Sequence, residues 1–426
     1  MKAARASARK TPSSWGSGSK GAKSADALNI LEQGVTVMLK VLSHDGVTYR
    51  AFCGESGDEE YNLVVVPPAH LAFDDQIKFV QTAYADATKS LGLGPETAIF
   101  RRLFLSDVMN QAALVRNSEL VDDHGENPVA ISIVQQPPLT GAKITLLAYH
   151  IVTKGQLSKK RFTMKHVLVK KNGKRHLWST RLCAGAFDPS PSSAGQTRKI
   201  FDNLTDTLSD LGGNLADHCV RTWIYLRNVD VFYQGMVDSR RELFTHEGLT
   251  GSTHYISSTG IEGSCSHRFD VVSMDAYSVL DLQPKQMSFL NDFDMLCATK
   301  DYHVTFERGT RIAYADRAHH FISGTASIDR EGNVLHVGDV VKQLDRAIVN
   351  VDALLRSGGA KLDDMQHLIV YLRDPTDYSR VTGMLNESFP GVPTVIVQGA
   401  VCRPEWLVEI EGIAAAPHND PALPAF

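Results

Sequence analysis

The feature that most restricts this chain is an order of pattern that recurs three times: strand, long amphipathic helix, strand, shorter helix, strand pair. Internal repetition decides how a long chain divides, and 426 residues exceed what one hydrophobic core organises. In the last copy, residues 339–356 place Val340, Leu344, Ala347, Val351 and Leu354 on one face at helical period. Gly358-Gly359 stops that helix. An apolar strand follows over 368–372, then a polar helical stretch to Leu385, then strands over 394–398 and 407–413. The middle copy repeats the order, with a helix over 196–211, a stop at Gly212-Gly213 and a strand over 220–226. Tyr371-Leu372-Arg373 answers Tyr225-Leu226-Arg227 at a spacing of 146, and Gln343 answers Gln196 at 147. The first copy is fainter: a stripe over 75–91 stopped by Gly92, a strand over 99–105, a helix over 108–120, and strands over 129–134 and 143–150. These stripes report helix faces packed on sheets and carry no chemistry. They predict an α+β chain with a tail over 1–27 and units over 28–155, 156–285 and 286–426.

Composition excludes several classes. A formal charge of -4 leaves no footprint for nucleic acid, and no apolar run reaches membrane-spanning length. Six scattered cysteines (Cys53, Cys183, Cys219, Cys265, Cys297, Cys402) show no metal or redox spacing, which fits a reducing, cytoplasmic setting. The first 25 residues hold six Lys/Arg and no acid, as a disordered tail or a transit peptide would. Residues 152–175 read as a basic hairpin or linker, and 281–311 as a second long connector.

The motifs of the last copy carry a family resemblance. Phe321-Ile322-Ser323-Gly324-Thr325 opens it, and residues 402–412, from Cys402-Arg403-Pro404 to Glu409-Ile410-Glu411-Gly412, stand near its end. This resembles a Rid (YjgF-like) domain, and more closely the last domain of chorismatases, which hydrolyse chorismate to pyruvate and a cyclic acid. Their SGTASI, HxGD, helix-borne Gln and CR-x-x-x-LVEIEG elements are similar to 323–328, 336–339, Gln343 and 402–412. Arg221-Thr222-Trp223 and Ser258-Thr259-Gly260 are weaker matches in the middle copy. Rid proteins are homotrimers of chorismate-mutase-like α+β units around a central barrel, with sites in the clefts between subunits. Three copies on one chain therefore imply an intrachain pseudo-trimer, monomeric or of low oligomeric order, needing no cofactor.

Candidate site residues follow. The resemblance assigns Ser323, Gly324 and Thr325 to a substrate carboxylate, through main-chain N–H groups and hydroxyls. Arg403 offers a fork for a carboxylate; deaminating Rid enzymes carry that arginine where Val401 stands, and chorismatases carry it here. Glu409 and Glu411 leave the same strand face, and in a cleft one such carboxyl becomes a proton donor at neutral pH. Chorismatases imply Glu409 as that acid. The middle copy has Ser273 and Asp275 at these positions and the first has Thr145 and Leu147, so only the last copy keeps the pair. Cys402 matches a cysteine of some chorismatases. Tyr302, Phe306 and Arg308 match a substrate-contacting segment, though its internal Gly-Pro-Arg is missing. Arg221, Trp223 and Thr259 are expected to form a wall of the same cleft, and Gln343 to line it. His319-His320 is rejected as a metal pair, because neighbours on a strand point to opposite faces. The expected function is hydrolysis of a small enol-ether or enamine/imine carboxylate by general acid catalysis. A non-catalytic small-carboxylate-binding or regulatory protein is the alternative, and a ribonuclease is disfavoured for want of a basic groove.

Overall fold

The computed structural model describes residues 28–32, 35–39, 46–187, 192–299 and 304–426; the expected tail and Tyr302 lie outside them. After the antiparallel pair β1 (Leu28–Glu32) and β2 (Val35–Leu39) come three sheets. The first holds β3 (Val47–Cys53), β4 (Glu59–Val65), β5 (Ala98–Leu105), β6 (Ala130–Gln135) and β7 (Ile144–Val152), with helices α1 (Phe73–Ser90) and α2 (Val108–Arg116). The second holds β8 (Leu157–Thr163), β9 (His166–Lys171), β10 (Lys174–Cys183), β11 (Cys219–Leu226), β12 (Ser257–Glu262) and β13 (Val272–Val279). Its helices are α3 (Ser193–Asp210), α4 (Leu215–His218) and α5 (Val229–His246). The third holds β14 (Met287–Phe289), β15 (Gly309–Ala313), β16 (Arg317–Ala326), β17 (Met365–Leu372), β18 (Thr394–Gln398) and β19 (Val408–Pro417), with α6 (Val340–Ser357) and α7 (Tyr378–Ser388).

The strand orders β3-β4-β7-β5-β6, β9-β10-β13-β11-β12 and β15-β16-β19-β17-β18 are one topology repeated. In each, the last two strands of the order pair in parallel and the rest antiparallel. A parallel pair needs a crossover, and the second long helix of each unit supplies it. One buried glutamine marks the repeat in three dimensions. Gln76, Gln196 and Gln343 are each the fourth residue of their unit's first long helix. Gln76 bonds Leu71 O and Lys143 N, Gln196 bonds Phe269 O and Val271 N, and Gln343 bonds Glu405 O and Leu407 N. A buried amide satisfied only by main chain is a clamp; here it ties the first helix to the segment entering the last strand.

The three sheets turn one face toward each other. Phe100 and Leu147, Trp178 and Tyr277, and Phe321 and Tyr371 come from different units and share one core. The helices of the first and second units cover the outer faces with separate cores. Units meet cyclically, β6 against β10, β12 against β16, and β17 against β3 and β4. At one end the edge strands join in a ring of main-chain bonds: Gln135 N to Ser264 O (2.8 Å), Glu262 N to Ala400 O (3.1 Å) and Gln398 N to Pro137 O (2.8 Å). The ring leaves no free sheet edge there and completes an intrachain pseudo-trimer.

The basic stretch read as a hairpin or linker is a hairpin of the second sheet, and the second connector carries an edge strand. Residues 157–171 form β8 and β9 of the second sheet, and Lys171 is buried against Asp58 at 2.5 Å. Strand β9 buries His166–Val169 in succession while Lys170 faces out, so the hairpin is solvated only in part. In the second connector β14 pairs with β15, and Thr305 and Arg308 are buried. No helix among the described residues is long and apolar enough to cross a membrane.

Candidate functional site

In β19, Val408 and Ile410 enter the apolar core while Glu409 and Glu411 leave the opposite face, also buried. Glu411 is fully partnered. Arg221 reaches it at 2.6 Å, Tyr371 donates its hydroxyl at 2.9 Å, and Thr259 donates a short hydrogen bond. Glu409 has no hydrogen-bond partner among the described residues, yet is only 6% exposed. Burial first, then the Glu411 charge, push its carboxyl up to about 8 against the pull of Arg221 and Arg308. Glu409 is thus a neutral acid at pH 7. Gly324 makes room for it: a Cβ there would lie 2.3 Å from Glu409 Oε1.

The acid opens on a cavity of about 70 Å³ between the second and third units, room for roughly five water molecules. Tyr233, Arg240 and 258–260 line it from one unit, and Phe306, Arg308, Gly324, Cys402, Arg403, Trp406 and Glu409 from the other. Three guanidinium groups therefore share the cleft with one carboxyl. Arg240 is 2% exposed and holds Thr305 Oγ1 at 2.9 Å and Ser258 Oγ at 3.4 Å, with no carboxylate partner among the described residues. Burial without a counter-ion lowers its pKa, the signature of a cation poised for an anion. Arg308 lies over the Phe306 ring and donates to Cys297 O, and Arg403 lies over Trp406 and donates to Gly332 O. The Cys402 thiol is pushed up to about 12 by burial and by Glu409, with Tyr233 pulling down.

The cleft brings together seven residues singled out from the sequence: Thr259, Phe306, Arg308, Gly324, Cys402, Arg403 and Glu409. Others lie elsewhere. Ser323 and Thr325 have buried hydroxyls that donate to Glu307 O and Ser323 O. The Gly324 N–H donates to Thr259 Oγ1 at 2.9 Å and the Ser323 N–H to Arg308 O at 3.0 Å, so the expected donors are spent inside the fold. Arg221 sits behind the acid pair on Glu411. Trp223 lines the central core, between the guanidinium groups of Arg102 and Arg221. Gln343 is the clamp described above, holding the 405–407 segment rather than a ligand. His319 turns to Glu60 and His320 to Gly358 O, on opposite faces. Among the described residues no three His, Cys, Asp or Glu are placed to hold a metal ion.

Arg240, Tyr233 and Trp406 were missed. Arg240 left a signal: with Met236 and Phe244 it falls at four-residue spacing on the buried stripe of α5, where a charge is out of place.

The corresponding junction between the first two units is filled. Strand β10 bulges between Ser179 and Leu182 as β16 does between Ile322 and Thr325, which sets Arg181 in the place of Gly324. Arg181 adopts φ 57° and forks onto Asp123 at 2.8 and 3.1 Å, with Arg161 beside it. Ser273 pairs with Tyr225 as Glu409 pairs with Tyr371. Asp275, the counterpart of Glu411, holds Arg102 at 3.1 Å. The inner carboxylate survives there while the acid is gone.

Residues 312–416 match the family model described as Endoribonuclease L-PSP. A crystal structure of a chorismatase is similar with a TM-score of 0.57 at 18% identity, over 75% of this chain and 94% of that one. A putative endoribonuclease L-PSP from Entamoeba histolytica matches at 19% identity over 31% of this chain and all of its own, TM-score 0.27. RidA from the Antarctic bacterium Psychrobacter sp. matches at 22% identity over 30% and 99%, TM-score 0.25.

Proposed function

We propose, from a last unit of the Rid/YjgF family set in a chorismatase-like fold, that the cleft between the second and third units hydrolyses a small enol-ether or enamine carboxylate by general acid catalysis. The observation that supports this is Glu409: a buried acid whose carboxyl is pushed up to about 8, with no hydrogen bond among the described residues, sharing a cavity with Arg240, which has no carboxylate partner among them. Arg240, with Arg308 and Arg403, takes the substrate carboxylate. Glu409 gives its proton to the terminal carbon of the electron-rich double bond, leaving an oxocarbenium or iminium centre. Water adds to that centre, and Glu409 recovers a proton from it. The adduct then collapses to a 2-oxo acid and an alcohol, or a 2-oxo acid and ammonia. The charge of Glu411, which is held by Arg221, Tyr371 and Thr259, keeps its neighbour's proton affinity high. For a vinyl-type substrate the oxo acid is pyruvate, so the test is pyruvate release from chorismate and from 2-aminoacrylate. Glu409→Gln should abolish it in a folded protein. Undiminished release by that variant would remove Glu409 from the mechanism, and no release from either substrate would remove the hydrolase reading for these compounds.

A further inference from the structure

The ring that closes the pseudo-trimer encloses a second cavity, of about 220 Å³, apart from the cleft. Its lining contains Gln135, Glu262 and Gln398, which hold equivalent places: each ends its unit's parallel edge strand, opposite Leu105, Leu226 and Leu372. The cavity therefore sits on the pseudo-threefold axis. The equivalents have diverged in charge. Gln135 accepts from Val108 N and Glu262 from Val229 N, each at the start of its unit's crossover helix. Gln398 is exposed and its side chain makes no hydrogen bond among the described residues.

Two ionic groups of the lining enter no ion pair among the described residues. Arg227 donates only to the main-chain carbonyls of His267 and Arg268 and enters no ion pair. Glu262 likewise enters none among them; burial, with the nearby Asp230 charge, raises its pKa against the Val229 N–H and the Arg373 charge, which is itself engaged by Asp230. Arg373, the repeat counterpart of Arg227, is by contrast paired with Asp230 at 2.9 Å. An unmet cation and an unmet carboxylate beside one small cavity, with amides and the Ser264 hydroxyl between them, are complementary to a molecule bearing both charges at short range.

We propose that this axial cavity binds a small zwitterion, a free α-amino acid or similar amino-carboxylate, with its carboxylate on Arg227 and its ammonium on Glu262. The site needs all three units, since Gln135, Glu262 and Gln398 come one from each. It assumes nothing about the chemistry of the cleft.

The test is titration of the full chain, by calorimetry or ligand-observed NMR, with glycine, L-serine, propionate and ethylamine. Glycine or L-serine should bind. Propionate and ethylamine should bind roughly tenfold or more weakly, because each leaves one charged partner unmet. Arg227→Gln and Glu262→Gln should each weaken amino-acid binding by a similar factor of roughly ten. Gln398→Trp, which disturbs no hydrogen bond, should block the cavity, while Glu409→Gln should leave binding unchanged. Absence of amino-acid binding would overturn the proposal. So would binding that survives Gln398→Trp but is lost in Arg240→Gln, because it would lie in the cleft instead.

Discussion

Replacing Glu409 by glutamine should separate stability from activity. The acid has an ordinary carboxyl value near 4.5 when unfolded and about 8 when folded. Below pH 4.5 both states are protonated and burial of the group carries no ionisation cost. As pH rises from 4.5 toward 8, the unfolded chain ionises and the folded one does not, so stability is lost at about 1.4 kcal/mol per pH unit. By pH 7 the loss is on the order of 3 kcal/mol, and above pH 8 it levels off. Glutamine has nearly the same shape and cannot ionise. Glu409→Gln should therefore match the parent at pH 4.5 and exceed it by on the order of 3 kcal/mol at pH 7, read from urea unfolding. Its turnover should fall by roughly 10²- to 10⁴-fold, the usual contribution of a general acid. In the parent, turnover should decline as pH rises through about 8, when Glu409 loses its proton. A variant no more stable than the parent at pH 7 would refute the reasoning, for Glu409 would then be ionised and unable to donate.

Gly324→Ala would place a Cβ 2.3 Å from Glu409 Oε1, so the acid must move; turnover should collapse for a stability cost of about 1–3 kcal/mol, measured by pyruvate release and urea unfolding. Gln343→Ala and Gln196→Ala each unfasten one clamp and should cost about 2–3 kcal/mol. Only Gln343→Ala should also reduce activity, since it frees the segment beside Arg403 and Trp406. Arg221→Met strips the cation from buried Glu411 and should destabilise by about 3–5 kcal/mol, with part recovered in the double variant carrying Glu411→Gln. Iodoacetamide at pH 7 should label Cys183 before Cys402, scored by peptide mass spectrometry. Contact with the Cys265 thiol and the Lys165 ammonium lowers Cys183 to about 6, whereas Cys402 stands near 12.

What the sequence made legible was local. Period and glycine stops located the first long helix of each unit, and alternation put Glu409 and Glu411 on one face; the 18-residue α5 was not read. The resemblance put Arg221 and Trp223 on a wall of the cleft, but a motif match cannot tell whether a strand face meets a cleft or the central core. Closure of three sheets decides that, and it sent Trp223 to the core and Arg221 to Glu411. Gln343 misled because a buried clamp and a ligand contact leave the same trace, one amide at the start of a helix. Its repetition at Gln76 and Gln196 was the available correction, since a residue kept in every unit serves the fold. Ser323 and Thr325 misled because their donors are committed by a bulge, and bulges leave no periodic signal.

The same bulge explains why one junction is a cleft and its neighbour is not. Gly324 and Glu409 are a matched pair, because any side chain at 324 would occupy the carboxyl's space. Arg181 and Ser273 are the reverse pair, a long side chain admitted where the acid is absent and anchored on Asp123. Neither member can change alone: glutamate at 273 would meet Arg181, and arginine at 324 would expel Glu409. Exchanging both, Arg181→Gly with Ser273→Glu, should empty the first junction and raise the new carboxyl's pKa beside Asp275, as Glu411 raises that of Glu409. Potentiometric or NMR titration of that residue is the check. A new carboxyl titrating in the ordinary range near 4.5 would show that burial by the third unit's loops, rather than the strand pair, creates the acid.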